Sequence, residues 1–141
     1  MQVEKQIGNH AKALQLLADQ KIMVDLDRLS IIQQAEEGDS SVCFKLNYFF
    51  SKGAEGFPSN YKMATYYIDK LKNSSDYKIP LIRFMTLCQE GDCERAFSNY
   101  DKAIIAYTAA LDTMVSHLSF KEWDFKFLQQ LSELSWMNNC S

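Results

Sequence analysis

Cysteine and histidine are the residue types in this chain that can support nucleophilic or metal chemistry. They occur as Cys43, Cys88, Cys93, Cys140, His10 and His117. Zinc sites usually draw on C-x-x-C pairs joined by a second pair or by histidines, whereas four residues separate Cys88 from Cys93 and no second pair exists. A catalytic thiol needs a base within reach, and the spacing places neither histidine beside a cysteine. The sequence therefore predicts structural cysteines, with no catalytic residue, metal site or cofactor.

Length, charge and the N-terminal sequence restrict the class of protein. A chain of 141 residues fits one domain. The formal net charge of −3 argues against a protein that neutralises many phosphates of a nucleic acid. Residues 1–20 lack the basic start and apolar centre of a signal peptide, and no apolar run approaches the roughly 18 residues of a membrane span. We therefore expect a cytoplasmic protein with reduced thiols and no membrane partner.

Apolar side chains recur with helical spacing in seven stretches, which predict helices near residues 2–19, 25–37, 41–52, 61–72, 79–91, 100–118 and 120–137. The sixth has the most regular stripe, formed by Tyr100, Ala103, Ile104, Tyr107, Leu111, Met114 and Leu118. Ser40 or Ser41 is the predicted N-cap of the third helix, and Asn60 that of the fourth. Gly91 is predicted to end the fifth helix before a loop at residues 92–98. No stretch alternates with a period of two residues, so the predicted fold class is all-α.

Acidic residues cluster around the second predicted helix. They are Asp19, Asp25, Asp27, Glu36, Glu37 and Asp39. We interpret this cluster as a solvated helix face, and docking onto a basic protein surface is the alternative.

A two-helix pattern at residues 35–72 recurs as a weaker copy at about 73–111. The positions that carry it are Ala35, Gly38, Val42, Leu46-Asn47, Phe50, Gly53, Gly56-Phe57-Pro58, Asn60-Tyr61, Met63-Ala64 and Tyr67. In the copy, Asn99-Tyr100 falls 39 residues after Asn60-Tyr61. This pattern resembles the Sel-one-like repeat family, which is related to the tetratricopeptide repeats.

The chain departs from the family pattern at three places. Asn47 stands where the family has a glycine that lets the paired helices approach each other, and Ala54 adds a residue between the two loop glycines. In the second copy, residues 94–96 replace the family's Gly-Val-Pro turn. The resemblance implies an α/α right-handed superhelix used for protein–protein contact, and it does not imply catalysis. Residues 1–34 and 119–141 are then expected to cap a single domain of residues 1–141.

The third predicted helix offers side chains on the face away from Val42, Leu46 and Phe50. In the repeat family the first helix of each pair lines the concave surface, so the resemblance implies that a partner binds there. The candidate residues in the two copies are Lys45, Tyr48, Phe49, Lys52, Arg83, Thr86 and Leu87. Aromatic side chains of this kind carry much of the energy of protein interfaces, although Phe49 has packing as ordinary core for its alternative.

Three function hypotheses follow in order of preference. The first is a non-catalytic module that binds a protein partner through its concave or helical face. The second is a small cytosolic immunity or inhibitor protein that neutralises a bacterial toxin or effector. The third is an enzyme that depends on cysteine and histidine. The sequence indicates neither the partner nor the oligomeric state.

Overall fold

The computed structural model describes residues 12–117, in which all regular structure is helical. Its α-helices are α1 (12–19), α2 (Leu26–Glu36), α3 (Ser40–Lys52), α4 (Tyr61–Lys72), α5 (Pro80–Ala96) and α6 (Tyr100–His117), and a 3-10 turn spans Ser75–Lys78. The all-α fold class is confirmed for this part of the chain. The seventh predicted helix, at 120–137, lies outside the described residues. The chain divides after Ser74 into two units, and their described parts are residues 12–74 in the first unit and residues 75–117 in the second unit.

Side-chain caps set the starts of the helices in the first unit. Asn60 Oδ1 accepts a hydrogen bond from the Met63 backbone N–H at 2.9 Å, which confirms the predicted N-cap of α4. Helix α3 is capped instead by Asp39, whose Oδ1 accepts from the Val42 N–H at 3.2 Å. The prediction of Ser40 or Ser41 was therefore wrong by one or two residues. Aspartate is an equally good cap, so local sequence did not separate the three.

The core of the first unit lies where α3 and α4 pack against each other. Its buried side chains include Leu46, Phe50, Phe57, Met63, Tyr67 and Leu71. The Phe50 ring stacks on Tyr67 with ring centroids 6.1 Å apart and meets the edge of Phe57 at 5.0 Å. Because these large rings are removed from water together, they supply much of the stabilisation of this unit.

Asn47 is buried on α3 at the position where the repeat pattern has glycine. Its Nδ2 donates a hydrogen bond to the carbonyl oxygen of Ala64 on α4 at 2.8 Å. The buried amide is thereby satisfied, which removes the cost of placing a polar group in the core. Asn47 therefore joins α3 to α4 through a side-chain hydrogen bond instead of through the absence of a side chain.

In the second unit, α5 continues through Gly91 and ends at Ala96. The prediction that Gly91 stops the helix was therefore wrong, and the predicted loop at residues 92–98 is confirmed only for the turn at residues 97–98. A Cβ at position 91 would lie 2.5 Å from Tyr107 Cε1 on α6. Gly91 thus provides the space in which the Tyr107 ring packs across α5, and the Tyr107 hydroxyl donates to Asp92 Oδ1. Gly91 therefore allows α5 and α6 to pack closely, whereas the sequence predicted that it ends a helix.

Helix α6 buries a face made of small side chains. The buried residues are Ala103, Ala106, Ala110 and Thr113, and Ala110 packs with Phe84 and Leu87 of α5. Three members of the predicted apolar stripe, Tyr100, Ile104 and Leu111, are instead exposed. The predicted helical period is confirmed, but the large side chains of the stripe do not form the buried face, because alanines let α6 approach α5 more closely than larger side chains do.

Candidate functional site

An open groove between α2 and α3 lies on the surface of the first unit and has a volume of about 380 Å³. Its lining combines apolar and charged side chains, namely Asp27, Arg28, Ile31, Gln34, Val42, Lys45, Phe49 and Glu55. Lys45 and Phe49 were both predicted as partner-binding residues from the sequence. They are four residues apart, so they lie on the same face of α3, one turn from each other.

The aromatic wall of the groove is Phe49, which is half-buried. Its ring stacks on Phe57 with ring centroids 5.7 Å apart and an angle of 9° between the ring planes. Phe57 itself is buried in the loop between α3 and α4. Phe49 was interpreted either as a core residue or as a surface anchor. Both interpretations apply in part, since one side of the ring packs inward while the other lines the groove.

Arg28 forms the opposite lip and was not among the residues predicted from the sequence. Its Nε donates to the backbone oxygen of Glu55 at 2.7 Å, and its guanidinium carbon lies 6.0 Å from the centroid of the Phe57 ring. It also pairs with Asp25, the N-cap of α2. Arg28 therefore fastens α2 to the loop after α3.

Gly56 leaves the room that Arg28 needs to make these contacts. Any Cβ at position 56 would overlap the guanidinium of Arg28, and the Gly56 φ of 82° is also unfavourable for other residues. The sequence contained this glycine as a loop signal. Its partner lies 28 residues earlier in the chain, so no local pattern reveals the pairing.

Lys45 lies on the rim of the groove and is exposed. Among residues 12–117, no carboxylate lies within ion-pair distance of its ammonium group, which leaves its charge available to a partner. Tyr48 and Lys52, also predicted for binding, are half-buried on the adjacent strip of α3 and do not line the groove. The Tyr48 ring meets Phe49 edge-on with centroids 6.2 Å apart.

The structure places the three predicted residues of the second unit differently. Arg83 is half-buried, with its Nε donating to the Tyr77 carbonyl oxygen at 3.2 Å and its guanidinium over the Tyr77 ring. Thr86 is fully buried, and its hydroxyl donates to the Ile82 carbonyl oxygen. Leu87 is buried in the α5–α6 core. Thr86 and Leu87 are therefore corrected to core positions, because the α5 face that carries them is covered.

Glu36 corrects the interpretation of the acidic cluster as a solvated face. Its side chain is only 2% exposed and pairs with Lys70 Nζ at 3.0 Å. The Tyr66 hydroxyl donates to the same carboxylate, at 2.9 Å from Oε1. The other five acidic residues of the cluster are exposed. Glu36 alone turns inward, because a cation and a hydroxyl from α4 compensate for the loss of its hydration.

A pocket of about 310 Å³ opens beside this ion pair and is lined by residues that include Glu36, Cys43 and Lys70. Burial raises the pKa of Cys43 to about 11. Burial and the neighbouring Glu36 also raise the pKa of Tyr66. Burial raises the pKa of Cys88, in the second unit, to about 12. Both thiols are therefore protonated and weakly nucleophilic at neutral pH.

Between residues 12 and 117, no three side chains of histidine, cysteine, aspartate or glutamate are grouped as metal ligands. Within the same range, no helix has both the length and the apolar character that crossing a membrane requires. His10 and Cys140 lie outside the described residues.

Comparison with known proteins gives no relative. No protein-family model matches the chain, and neither the curated proteins nor the solved structures yield a match.

Proposed function

We propose that this protein is a non-catalytic protein–protein interaction module whose first unit binds a protein partner in the groove between α2 and α3. The observation that carries the proposal is that one open groove combines a half-exposed aromatic wall, Phe49, with the ammonium of Lys45, which has no ion-pair partner within residues 12–117. An apolar side chain of the partner fits against Phe49, and an acidic group of the partner pairs with Lys45. Such an aromatic anchor with a charged rim is the usual composition of a protein interface.

We also propose that the two units derive from Sel-one-like repeats arranged as a superhelix. Support for the first copy comes from its helix pair, α3 and α4, with Gly53 in left-handed conformation at the end of α3 and Asn60 capping α4. Support for the second comes from α5 and α6, which pack along each other over residues 80–117. A repeat scaffold of this kind serves binding more often than catalysis.

The alternative of an enzyme that uses cysteine and histidine receives little support from the described residues. The raised pKa values of Cys43 and Cys88 disfavour the thiolate at neutral pH. His117 is exposed at the end of α6. The thiols of Cys43 and Cys88 form no disulfide within residues 12–117, which suits a reducing compartment, and on that basis we propose a cytoplasmic location.

The test is a pair of charge reversals on the full-length protein, Lys45→Glu in the groove and Lys62→Glu on α4 as its control. Both lysines are exposed and neither lies within ion-pair distance of a carboxylate among residues 12–117, so both variants should keep the circular dichroism spectrum and melting temperature of the wild type. Native co-purification from the source cell, quantified by mass spectrometry, should recover a protein with wild type and Lys62→Glu that Lys45→Glu loses.

The recovered partner protein is then titrated in purified solution against the wild type, Lys45→Glu and Lys62→Glu, and also against Phe49→Ala. Loss of one aromatic or charged anchor at a desolvated site should weaken binding about tenfold or more. Lys45→Glu and Phe49→Ala should both show that loss. If all three charge forms bind the recovered protein equally, or if no protein is recovered by wild type, the groove is not the binding site.

A further inference from the structure

A second apolar surface runs along the outer side of α6, in residues that the groove does not include. Tyr100, Ile104, Leu111 and Val115 are between 53% and 74% exposed. Their spacing of 4, 7 and 4 residues places all four on one narrow face of a helix. The opposite face of α6, built from Ala103, Ala106, Ala110 and Thr113, is the buried one. Helix α6 is therefore apolar on both sides, and only one side is covered among the described residues.

The exposed stripe has the dimensions of a helix-docking surface. Tyr100 and Val115 are 15 residues apart, which corresponds to about 22 Å along the helix axis. A contiguous row of large apolar side chains of this length is uncommon on a surface that contacts only water. Protein partners that recognise such a row usually present their own amphipathic helix, with apolar residues repeating every three or four positions.

The charge along one edge of the stripe indicates the chemistry of the occupant. Asp101 and Asp112 are exposed, and their spacing of 11 residues puts them on the same edge, next to Ile104 and Val115. Neither carboxylate has a cationic partner within residues 12–117. The other edge is formed by Tyr107 and Met114, which are half-buried against the rest of the second unit. Within residues 12–117, the open edge of the stripe thus carries uncompensated negative charge.

A second copy of this chain does not complement that edge. Antiparallel pairing of two α6 helices about a two-fold axis sets each acidic edge against the acidic edge of the other copy, which is repulsive. Parallel pairing sets the acidic edge against Tyr107 and Met114 and leaves the carboxylates unpaired. An anionic lipid surface also repels the edge. The complementary occupant is one with positive charge beside its apolar face.

We propose that the outer face of α6 docks an amphipathic helix of a protein partner whose apolar side chains are bordered on one edge by lysine or arginine. The apolar residues of the partner cover Tyr100, Ile104, Leu111 and Val115, and its basic residues pair with Asp101 and Asp112. This surface is separate from the α2–α3 groove in its residues, so a failure of either proposal leaves the other unaffected.

The test uses two synthetic helical peptides with the full-length protein. The peptides share one leucine stripe and differ along one edge, which carries lysine in one and glutamate in the other. Fluorescence anisotropy at about 50 mM salt should show the lysine peptide binding about fivefold more tightly than the glutamate peptide, with the ratio falling as salt is raised. Asp101→Asn combined with Asp112→Asn should reduce that ratio to less than about twofold.

Apolar substitutions test the stripe itself. Ile104→Asp combined with Leu111→Asp should weaken binding of the lysine peptide more than about tenfold. Leu26→Asp is the matched control, since Leu26 is another exposed apolar residue, on α2, and it should leave binding unchanged. If the double aspartate variant loses its helical circular dichroism signal, the single variants Ile104→Gln and Leu111→Gln are compared in its place.

Several outcomes would overturn the proposal, and each identifies another occupant. Equal binding of both peptides, or no binding of either, would exclude a basic amphipathic helix as the occupant of the stripe. A dimer in sedimentation that Ile104→Asp converts to monomer assigns the stripe to a second copy. Binding of phosphatidylcholine vesicles that Ile104→Asp abolishes assigns it to a membrane. Both tryptophans lie at positions 123 and 136, so a shift of tryptophan emission in Ile104→Asp without peptide binding assigns the stripe to residues 118–141.

Discussion

The close contact between Gly91 and the Tyr107 ring gives the sharpest test of how α5 and α6 are arranged. Replacing Gly91 by alanine places a Cβ 2.5 Å from Tyr107 Cε1 and 2.6 Å from Cδ1, so the ring has to move. Overpacking of this kind costs about 2 kcal/mol, and moving the ring away from Asp92 loses a hydrogen bond worth about 1 kcal/mol.

The helix itself favours the same substitution. Gly91 lies within α5, where alanine is more favourable than glycine by about 1 kcal/mol. The sum predicts that Gly91→Ala lowers the free energy of unfolding by about 2 kcal/mol. When Tyr107→Ala has already removed the ring, Gly91→Ala should instead raise the free energy of unfolding by up to about 1 kcal/mol. The two sites are therefore coupled by about 2–3 kcal/mol.

The assay is urea unfolding of the wild type, both single variants and the double variant, followed by far-ultraviolet circular dichroism. The sign change between the two backgrounds is the decisive result. If Gly91 instead ended the helix in a left-handed conformation, alanine would destabilise the protein in both backgrounds. Destabilisation in both, or a coupling below about 0.5 kcal/mol, would refute the packing described for α5 and α6.

Three further predictions concern the first unit. Leu46→Asp should abolish the cooperative thermal transition in circular dichroism, because it places a carboxylate in the α3–α4 core. The control Lys45→Asp should have a melting temperature within about 3 °C of wild type. A folded Leu46→Asp protein would show that the register of α3 is wrong. Lys70→Met should lower the free energy of unfolding in urea by about 2 kcal/mol, since Glu36 stays buried without its cation while the 23% exposure of Lys70 moderates the loss. Adding Glu36→Gln should recover part of that loss, and a larger loss in the double variant would contradict this account. The pKa of Cys43 is raised from 9.0 to about 11, so the thiol ionises at a lower pH in the unfolded chain than in the folded one, and the free energy of unfolding should fall as the pH rises from 9 towards 11. Urea unfolding at pH 7 and pH 10 should show a smaller fall in the free energy of unfolding for Cys43→Ala than for the wild type. An equal fall in the two proteins would contradict this role of Cys43.

In the first unit, helix ends and inward-facing residues were predictable, because they depend on residues that are near each other in the sequence. Asn60 and Gly53 mark helix ends because a cap or a left-handed residue acts within one turn. The burial of Leu46 and Phe50 followed from their spacing of four residues. The groove was predictable in part, since Lys45 and Phe49 were chosen as the outward residues of α3. Its opposite lip, Arg28, was not predictable, because Arg28 meets a loop 27 residues later in the chain.

The second unit shows why spacing alone is insufficient. Helix α6 carries two faces that both repeat with helical period, one of large apolar residues and one of alanines. Hydrophobicity favours the first as the core, whereas close packing against α5 selected the second. Thr86 and Leu87 were predicted on the surface for a different reason, since the repeat pattern equates them with Tyr48 and Phe49 of α3, and the α5 face that carries them is covered.

Local sequence was enough to predict that residues 12–117 are helical, where most of their helices begin, and which residues of α3 point inward. These properties follow from backbone hydrogen bonds and capping within a few residues. Contacts between helices explain why Glu36 is buried, why Gly91 lies inside a helix, and why the large side chains of α6 remain exposed. Each of those three properties depends on a contact with another helix, through Lys70, Tyr107 or α5. Local sequence patterns do not show which distant residue makes that contact.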